Sequence, residues 1–458
     1  MITKNKLALA LGLVATSSYS ISVMAQQDEG WINQGHSYSF SNRVEMPYTA
    51  AATESAIATI RQDNGNFVSI RVTGQDDYPK VDNDPLLKNF YKPDRLYSNQ
   101  SSFIVYNSKM KKAAFWNKNY PTVTPIDINS IDGIYPGVDS VVLVSGDTIT
   151  ELNTNTNSIM ANFAVTKPIK QIYHNGSVSS NAWVILFEDG KVQVWGNEAF
   201  GGKPNEDTLT LLDKASIQDI HVTEKSFIAR TNEDKIIAWG NDEAAEVSST
   251  AQAMIGTFPV LDIQTNKSAV AVSTPYGIFA WGSEQCGGSL SLEATLMQYA
   301  NSKLDATDCS FIASNNSTGQ VFVWGDVNKE ATYDLGDSSF DIYAAANSYL
   351  IRNSDELPLD SINDEIPANT LDTMYRNTNA IGIFSDAFVM QENNDGISRY
   401  SVWKDGVSIL SDYMPLSPAG GLSFDNYYLA TDGRADTSYF VVYDAVTEKD
   451  TVVKKINN

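Results

Sequence analysis

Between residues 182 and 325 the chain repeats one hydrophobic–polar phrase four times. An apolar run opens each copy, at 183–187, 227–229, 269–272 and 311–313. A turn follows, most often carrying an Asp-Gly or Thr-Gly pair such as Asp189-Gly190 or Thr318-Gly319. A second strand then alternates apolar and variable positions into Trp195-Gly196, Trp239-Gly240, Trp281-Gly282 or Trp324-Gly325. Period-two alternation on both sides of a tight turn predicts a β-hairpin. A recurring isoleucine upstream (Ile172, Ile220, Ile263, Ile342) marks a further strand. The Trp-Gly pairs stand 44, 42 and 43 residues apart, so the chain is a tandem array.

Fainter copies flank the clear four. Residues 57–70 form a hairpin pattern around Asp63-Asn64-Gly65, and 103–116 repeat the unit with Asn117 where glycine would stand. Others read at 141–152, at Tyr349 with Asp355-Glu356, at 388–403 around Asn394-Asp395-Gly396, and at 428–443 around Asp432-Gly433. That gives nine markers from Trp116 to Tyr443, ten with the 57–70 hairpin. Three or four short strands per roughly forty residues, with few helical patterns, predict an all-β fold. A β-propeller of short antiparallel blades fits best, because each blade must stack on its neighbours to bury both faces and the aromatic recurs at one place. A β-solenoid is the alternative. Tandem immunoglobulin-like domains need about 100 residues per unit and do not fit.

The ends of the chain read differently. Lys4 and Lys6, the apolar run 7–14 and the small-residue pattern 23–25 predict a signal peptide over 1–25, hence an exported protein, periplasmic or extracellular. Residues 26–94 read as an irregular N-terminal β region, a candidate ring-closing strand plus one hairpin, and 95–458 as repeats. No later run approaches the ~20 apolar residues of a membrane span. The formal charge is −23. That sign opposes nucleic acid and anionic lipid, whose binding depends on Lys and Arg. It suits cationic partners and Ca²⁺, although Asp82-Asn83-Asp84 lacks the glycine and closing Glu of a Ca²⁺ loop. In an exported chain the two cysteines, Cys286 and Cys309, are either a disulfide or two free thiols.

The phrase apolar-apolar-Ala, polar-Asp-Gly, Val-x-x-Trp-Gly resembles the regulator-of-chromosome-condensation repeat, particularly its secreted bacterial versions of the β-lactamase-inhibitor type. Phe200-Gly201-Gly202 and Cys286-Gly287-Gly288 match the Gly-rich tail that follows Trp-Gly there. The likeness is good over 165–330. It implies a propeller of usually seven blades, closed by strands from the two chain ends, and protein–protein binding. Ten markers depart from seven.

Catalytic signals are sparse. His36, His174 and His221 occupy unlike positions with no metal-ligand spacing, and no nucleophile elbow or phosphate loop occurs. No catalytic, cofactor-binding or metal-binding residue is therefore assigned. The residues after each Trp-Gly (Asn197 and Glu198; Asn241, Asp242 and Glu243; Ser283 and Glu284; Asp326 and Val327) are expected on one acidic face. The expected function is a non-catalytic scaffold, monomeric, that binds a protein or glycan there. The alternative is a propeller enzyme acting on a polysaccharide with acidic residues near the axis.

Overall fold

The computed structural model describes residues 50–290 and 301–335, with short breaks at 54–55, 64–65, 75–77, 178–179, 316 and 326–329; beyond 335 it describes mainly strands. The expected signal peptide, His36, Asn64-Gly65 and Asp326-Val327 lie outside the described residues.

Every one of the ten expected units forms its own antiparallel sheet of three or four consecutive strands. The sheets span 50–74, 95–125, 133–164, 169–196, 217–240, 262–282, 303–334, 340–362, 378–415 and 427–457. Strand order within each sheet follows chain order, so each is a simple meander. The turns do what the sequence asks of them: Gly190 (φ 77°) and Gly319 (φ 70°) take the left-handed conformation in their hairpins. No strand pairs between units among the described residues, whereas a solenoid would run its sheets from unit to unit.

Successive sheets lie side by side with their first strands adjacent. Ile169–Ser177 packs by Ile217–Val222, which packs by Asp262–Thr265, then Lys303–Ala306, Phe340–Ala344 and Thr378–Phe384. First strands together and last strands outward is the blade arrangement of a β-propeller.

Each hydrophobic core lies between two blades, not inside one. Phe103 and Trp116 join Ile60 and Ile70 of the sheet before; Trp183 and Ile185 join Val142 and Ile149; Phe311 and Trp324 join Ala271 and Ile278. The repeat aromatics also pair across their own hairpins, Phe227 opposite Trp239 and Phe311 opposite Trp324, with ring centroids 5.4 and 5.3 Å apart. Two helices that the strand pattern does not predict, Glu206–Lys214 and Ser249–Ile255, bridge Trp-Gly tails to the next blade. Asn205 and Ser248 cap their first turns, and Leu212, Ala251 and Ile255 complete the inter-blade cores.

Because Trp324 is fully buried, Trp324→Ala is expected to cost about 3–5 kcal/mol. Urea unfolding followed by circular dichroism reads this directly. A loss below about 1 kcal/mol would mean that the blade interface does not depend on the ring.

Candidate functional site

The candidate face is built by the tail that follows each Trp-Gly. The glycine of that pair turns the chain through positive φ, 110° at Gly196, 143° at Gly240 and 106° at Gly282. Backbone crowds it: a Cβ on Gly240 would stand 2.3 Å from the Lys225 carbonyl oxygen. The chain then enters a single 3-10 turn, Glu198–Phe200, Glu243–Ala245 or Glu284–Cys286. Asn197 caps the first by accepting from Ala199 N at 2.8 Å, and Asp242 caps the second by accepting from Ala244 N at 3.1 Å. Asp242 also accepts from the Thr223 hydroxyl at 2.8 Å and from that of Ser226. Ser283 occupies the third cap position without a side-chain bond.

Each tail receives the tryptophan of the next blade. Trp239 Nε1 donates to the Gly201 carbonyl at 3.1 Å, Trp281 Nε1 to Ala244 at 3.0 Å, and Trp324 Nε1 to Gly287 at 3.0 Å. A Cβ on Gly287 would lie 3.0 Å from the Phe311 ring and 3.2 Å from that of Trp324. The Gly-rich tail is thus a seat for the neighbouring indole. Cys286 and Cys309 are disulfide-bonded, which ties the Glu284–Cys286 turn to the following sheet.

One seat is made differently. The 133–164 sheet has no Trp-Gly tail, and Glu151 supplies the acceptor with its side chain. Its buried carboxylate takes Trp183 Nε1 at 2.9 Å, Trp195 Nε1 at 3.0 Å and the Ser140 hydroxyl at 2.8 Å. Trp183 and Trp195 stack at 5.9 Å. Sequence reading missed Glu151, since nothing local marks it.

Among the candidate residues, then, Asn197, Asp242 and Ser283 hold cap positions. Glu198, Asn241 and Glu284 are exposed. Glu243 is exposed as well, at the same first position of its turn as Glu198 and Glu284. Three successive blades therefore present a carboxylate at one repeat position.

A second polar set lines the first strands. The residues flanking the recurring apolar position are Gln171 and Tyr173, Asp219 and His221, Asp262 and Gln264, and Lys303 and Asp305. Burial opposes ionisation of Asp219, but the 3.2 Å bond to His221 and the charges of His221, Arg230 and Lys170 lower its pKa overall. Burial raises the pKa of Asp262, which accepts from Leu304 N at 2.8 Å. Asp305 is buried and raised to about 7, chiefly by burial, with Lys303 Nζ 3.4 Å away opposing the shift. His174 is lowered to about 4 by burial against Trp183. Among the described residues, no three His, Cys, Asp or Glu group as metal ligands. A cleft of about 530 Å³ opens elsewhere, beside Tyr135, Val144, Val165, Lys167 and Ile169, with Asp132 and Asp147 also in its wall.

Two expectations follow. Glu151→Ala leaves the buried indole N–H of Trp183 and the partly buried one of Trp195 without an acceptor and is expected to cost about 3–5 kcal/mol, while Glu151→Gln, which keeps one acceptor oxygen, should cost less. Urea titrations with tryptophan fluorescence separate them. Asp305 binds its proton more tightly folded than unfolded, so its contribution is complete below pH 4 and lost as pH rises toward about 7. Asp305→Asn should flatten that decline, on the order of 4 kcal/mol, in stability measured from pH 4 to pH 8.

No protein-family model matches the chain, and no curated protein matches it. Several solved structures show a weak likeness to it. The WD40 ectodomain of the Arabidopsis thaliana receptor kinase ACR4 is 12% identical, covering 63% of this chain and 98% of that one, at a TM-score of 0.32. Prp20p from Saccharomyces cerevisiae is 12% identical, covering 63% and 86%, at 0.31. The WD40 domain of SCAP from fission yeast is 10% identical, covering 80% and 96%, at 0.38. With scores this low, the fold rests on the strand order and blade interfaces above.

Proposed function

We propose that this chain is an exported, non-catalytic propeller that binds a cationic protein surface through the face formed by its Trp-Gly tails. The observation that carries this is the row Glu198, Glu243 and Glu284, one exposed carboxylate per blade at one repeat position. Each sits on a turn fixed by a backbone seat, so three charges are held in fixed relation without ordering a long loop on binding. Pre-organisation of that kind lowers the cost of association. The likeness to the regulator-of-chromosome-condensation repeat, and the signal-peptide pattern at 1–25, support a partner outside the cytoplasm.

The enzyme alternative has one specific feature in its favour, the raised carboxyls of Asp262 and Asp305 near the first strands. Asp305, however, is sealed from solvent, and the described cleft is lined by neither residue. A polysaccharide would have to reach a group that the fold has closed off.

The test compares the purified chain with Glu198→Lys/Glu243→Lys/Glu284→Lys in pull-downs from envelope and extracellular fractions. The expected result is a reproducible basic partner that the triple variant loses by at least tenfold in affinity, about 1.4 kcal/mol. Glu233→Lys, an exposed acid away from the row, should keep it. Partners retained by the triple variant, or polymer turnover with no partner at all, would overturn the reading.

A further inference from the structure

Two successive inter-blade cores are closed at the end of the strands away from the Trp-Gly tails, and the core before them is open there. After the 169–196 sheet, Leu212 and Ala215 close that end beside Ile217. Lys191, from the hairpin turn, donates to the carbonyls of Asp213 and Ala215 and holds the helix exit in place. After the 217–240 sheet, Ile255 and Val260 close it, and Arg230 donates to the Val260 carbonyl at 2.8 Å.

After the 133–164 sheet the connection is four residues, Val165-Thr166-Lys167-Pro168, with no helix. Val165 is its one residue in the buried cluster. That cluster ends in the cleft of about 530 Å³, with Val144 and Val165 buried at its floor and Tyr135 and Ile169 half-buried in its wall. The turn glycines measure the difference between the junctions. A Cβ on Gly190 would stand 2.5 Å from Ser216 Oγ and 3.1 Å from Ile217 N. On Gly146, at the matching turn, it would meet nothing within 4 Å.

Three ionic side chains stand in the wall, and two are already engaged. Asp132 is paired with Lys111 and accepts from Gly146 N at 2.8 Å, which together hold its carboxyl below the usual carboxylate range. Lys167 is paired with Asp189 at 2.7 Å and lies 5.9 Å from the Phe187 ring centroid. Asp147 makes no ion pair among the described residues, and its side chain takes the Thr148 hydroxyl at 3.2 Å.

We infer that this cleft binds a small amine, its apolar body on Tyr135, Val144, Val165 and Ile169 and its ammonium at the Asp147 carboxylate. The volume suits a small molecule, since such sites run from about 300 to 1,000 Å³ and pair apolar walls with a few placed polar groups. Charge decides the class. An anion would face Asp147 and would have to displace Asp189 from Lys167, in a chain of formal charge −23. A neutral molecule would strip water from Asp147 and return no counter-charge. A monocation supplies the one charge that the wall lacks and leaves both existing pairs intact. The site is independent of the tail face, because it lies at the other end of the strands.

Calorimetric titration with tryptamine, tryptophol and indole-3-acetate tests this with one ring carrying a cationic, neutral or anionic arm. Tryptamine is expected to bind with a Kd below about 1 mM. Tryptophol should bind about three- to fivefold more weakly, the worth of an exposed ion pair, and indole-3-acetate more weakly still. Tryptamine should also shift the methyl resonances of Val144 and Val165. Asp147→Asn, at an exposed position, should bring tryptamine to the level of tryptophol and leave the thermal midpoint within about 2 °C. Raising salt from about 0.05 to 0.5 M should narrow the gap between the two ligands. Glu198→Gln/Glu243→Gln/Glu284→Gln should leave tryptamine binding unchanged, whatever becomes of the tail-face reading. No saturation by tryptamine, or equal affinity for all three ligands, would overturn the inference. So would a preference for the amine that survives Asp147→Asn or disappears in the triple tail variant.

Discussion

The contact on which the architecture depends is the seating of one blade's tryptophan in the tail of the blade before it. A three-stranded sheet has two apolar faces and no core of its own, so stability has to come from the junction. Burial of the indole supplies most of it, about 1.5–3 kcal/mol for a large side chain. The hydrogen bond adds less in net terms, about 1 kcal/mol, but leaving the indole N–H without an acceptor would cost about 1–3 kcal/mol. The carbonyls of Gly201, Ala244 and Gly287 therefore matter chiefly because their absence is expensive. Ala244 accepts with its Cβ in place, so glycine at Gly201 and Gly287 answers a different need: both close their turns at positive φ, 85° and 86°, and a Cβ at Gly287 would stand in the way of Phe311 and Trp324.

Glu151 shows the same constraint met by other means. At the position opposite the repeat tryptophan, other units carry Phe227, Val270 or Phe311; this one carries Trp183. Two stacked indoles then need two acceptors where a tail carbonyl typically serves one. A carboxylate has two oxygens, and Glu151 gives one to each indole, with the Ser140 hydroxyl sharing the first. Burying a charge is costly unless donors surround it, and three do. The blade without a Trp-Gly tail makes its junction by placing the acceptor on a side chain.

The sequence shows whatever repeats locally and hides what is assembled from several repeats. The hairpins, the Trp-Gly turns and the ten units were legible because each is written within about fifteen residues, with period-two alternation as the signal. Even the faint unit at 141–152 became a sheet. The two helices were not legible. Glu206–Lys214 leaves Leu209 and Leu211 exposed, so its apolar pattern lacks a clean helical face; only the Asn205 and Ser248 caps announce the helices. Glu151 was invisible because its partners lie 32 and 44 residues away. The polar pairs of the first strands carry no repeat signal for the opposite reason: only the apolar position between them recurs, and the flanking residues differ in every copy.

The tail face separates what architecture requires from what a partner could read. Asn197 and Asp242 are spent on capping, and Asp242 also holds Thr223 and Ser226, so neither side chain is free to leave its place. A glutamate at the first position of a turn also suits the partial positive charge of exposed backbone N–H groups. The acidity of the face thus has a structural cause as well as a use, and acidity alone would attract any cationic surface. Discrimination has to come from residues that architecture leaves unconstrained and that differ between blades: Ala199 beside Glu198, Asn241 and Ala245 around Glu243, Gln285 beside Glu284. Those positions combine a fixed backbone with a free side chain, which is the condition under which a repeated scaffold can carry a non-repeated message.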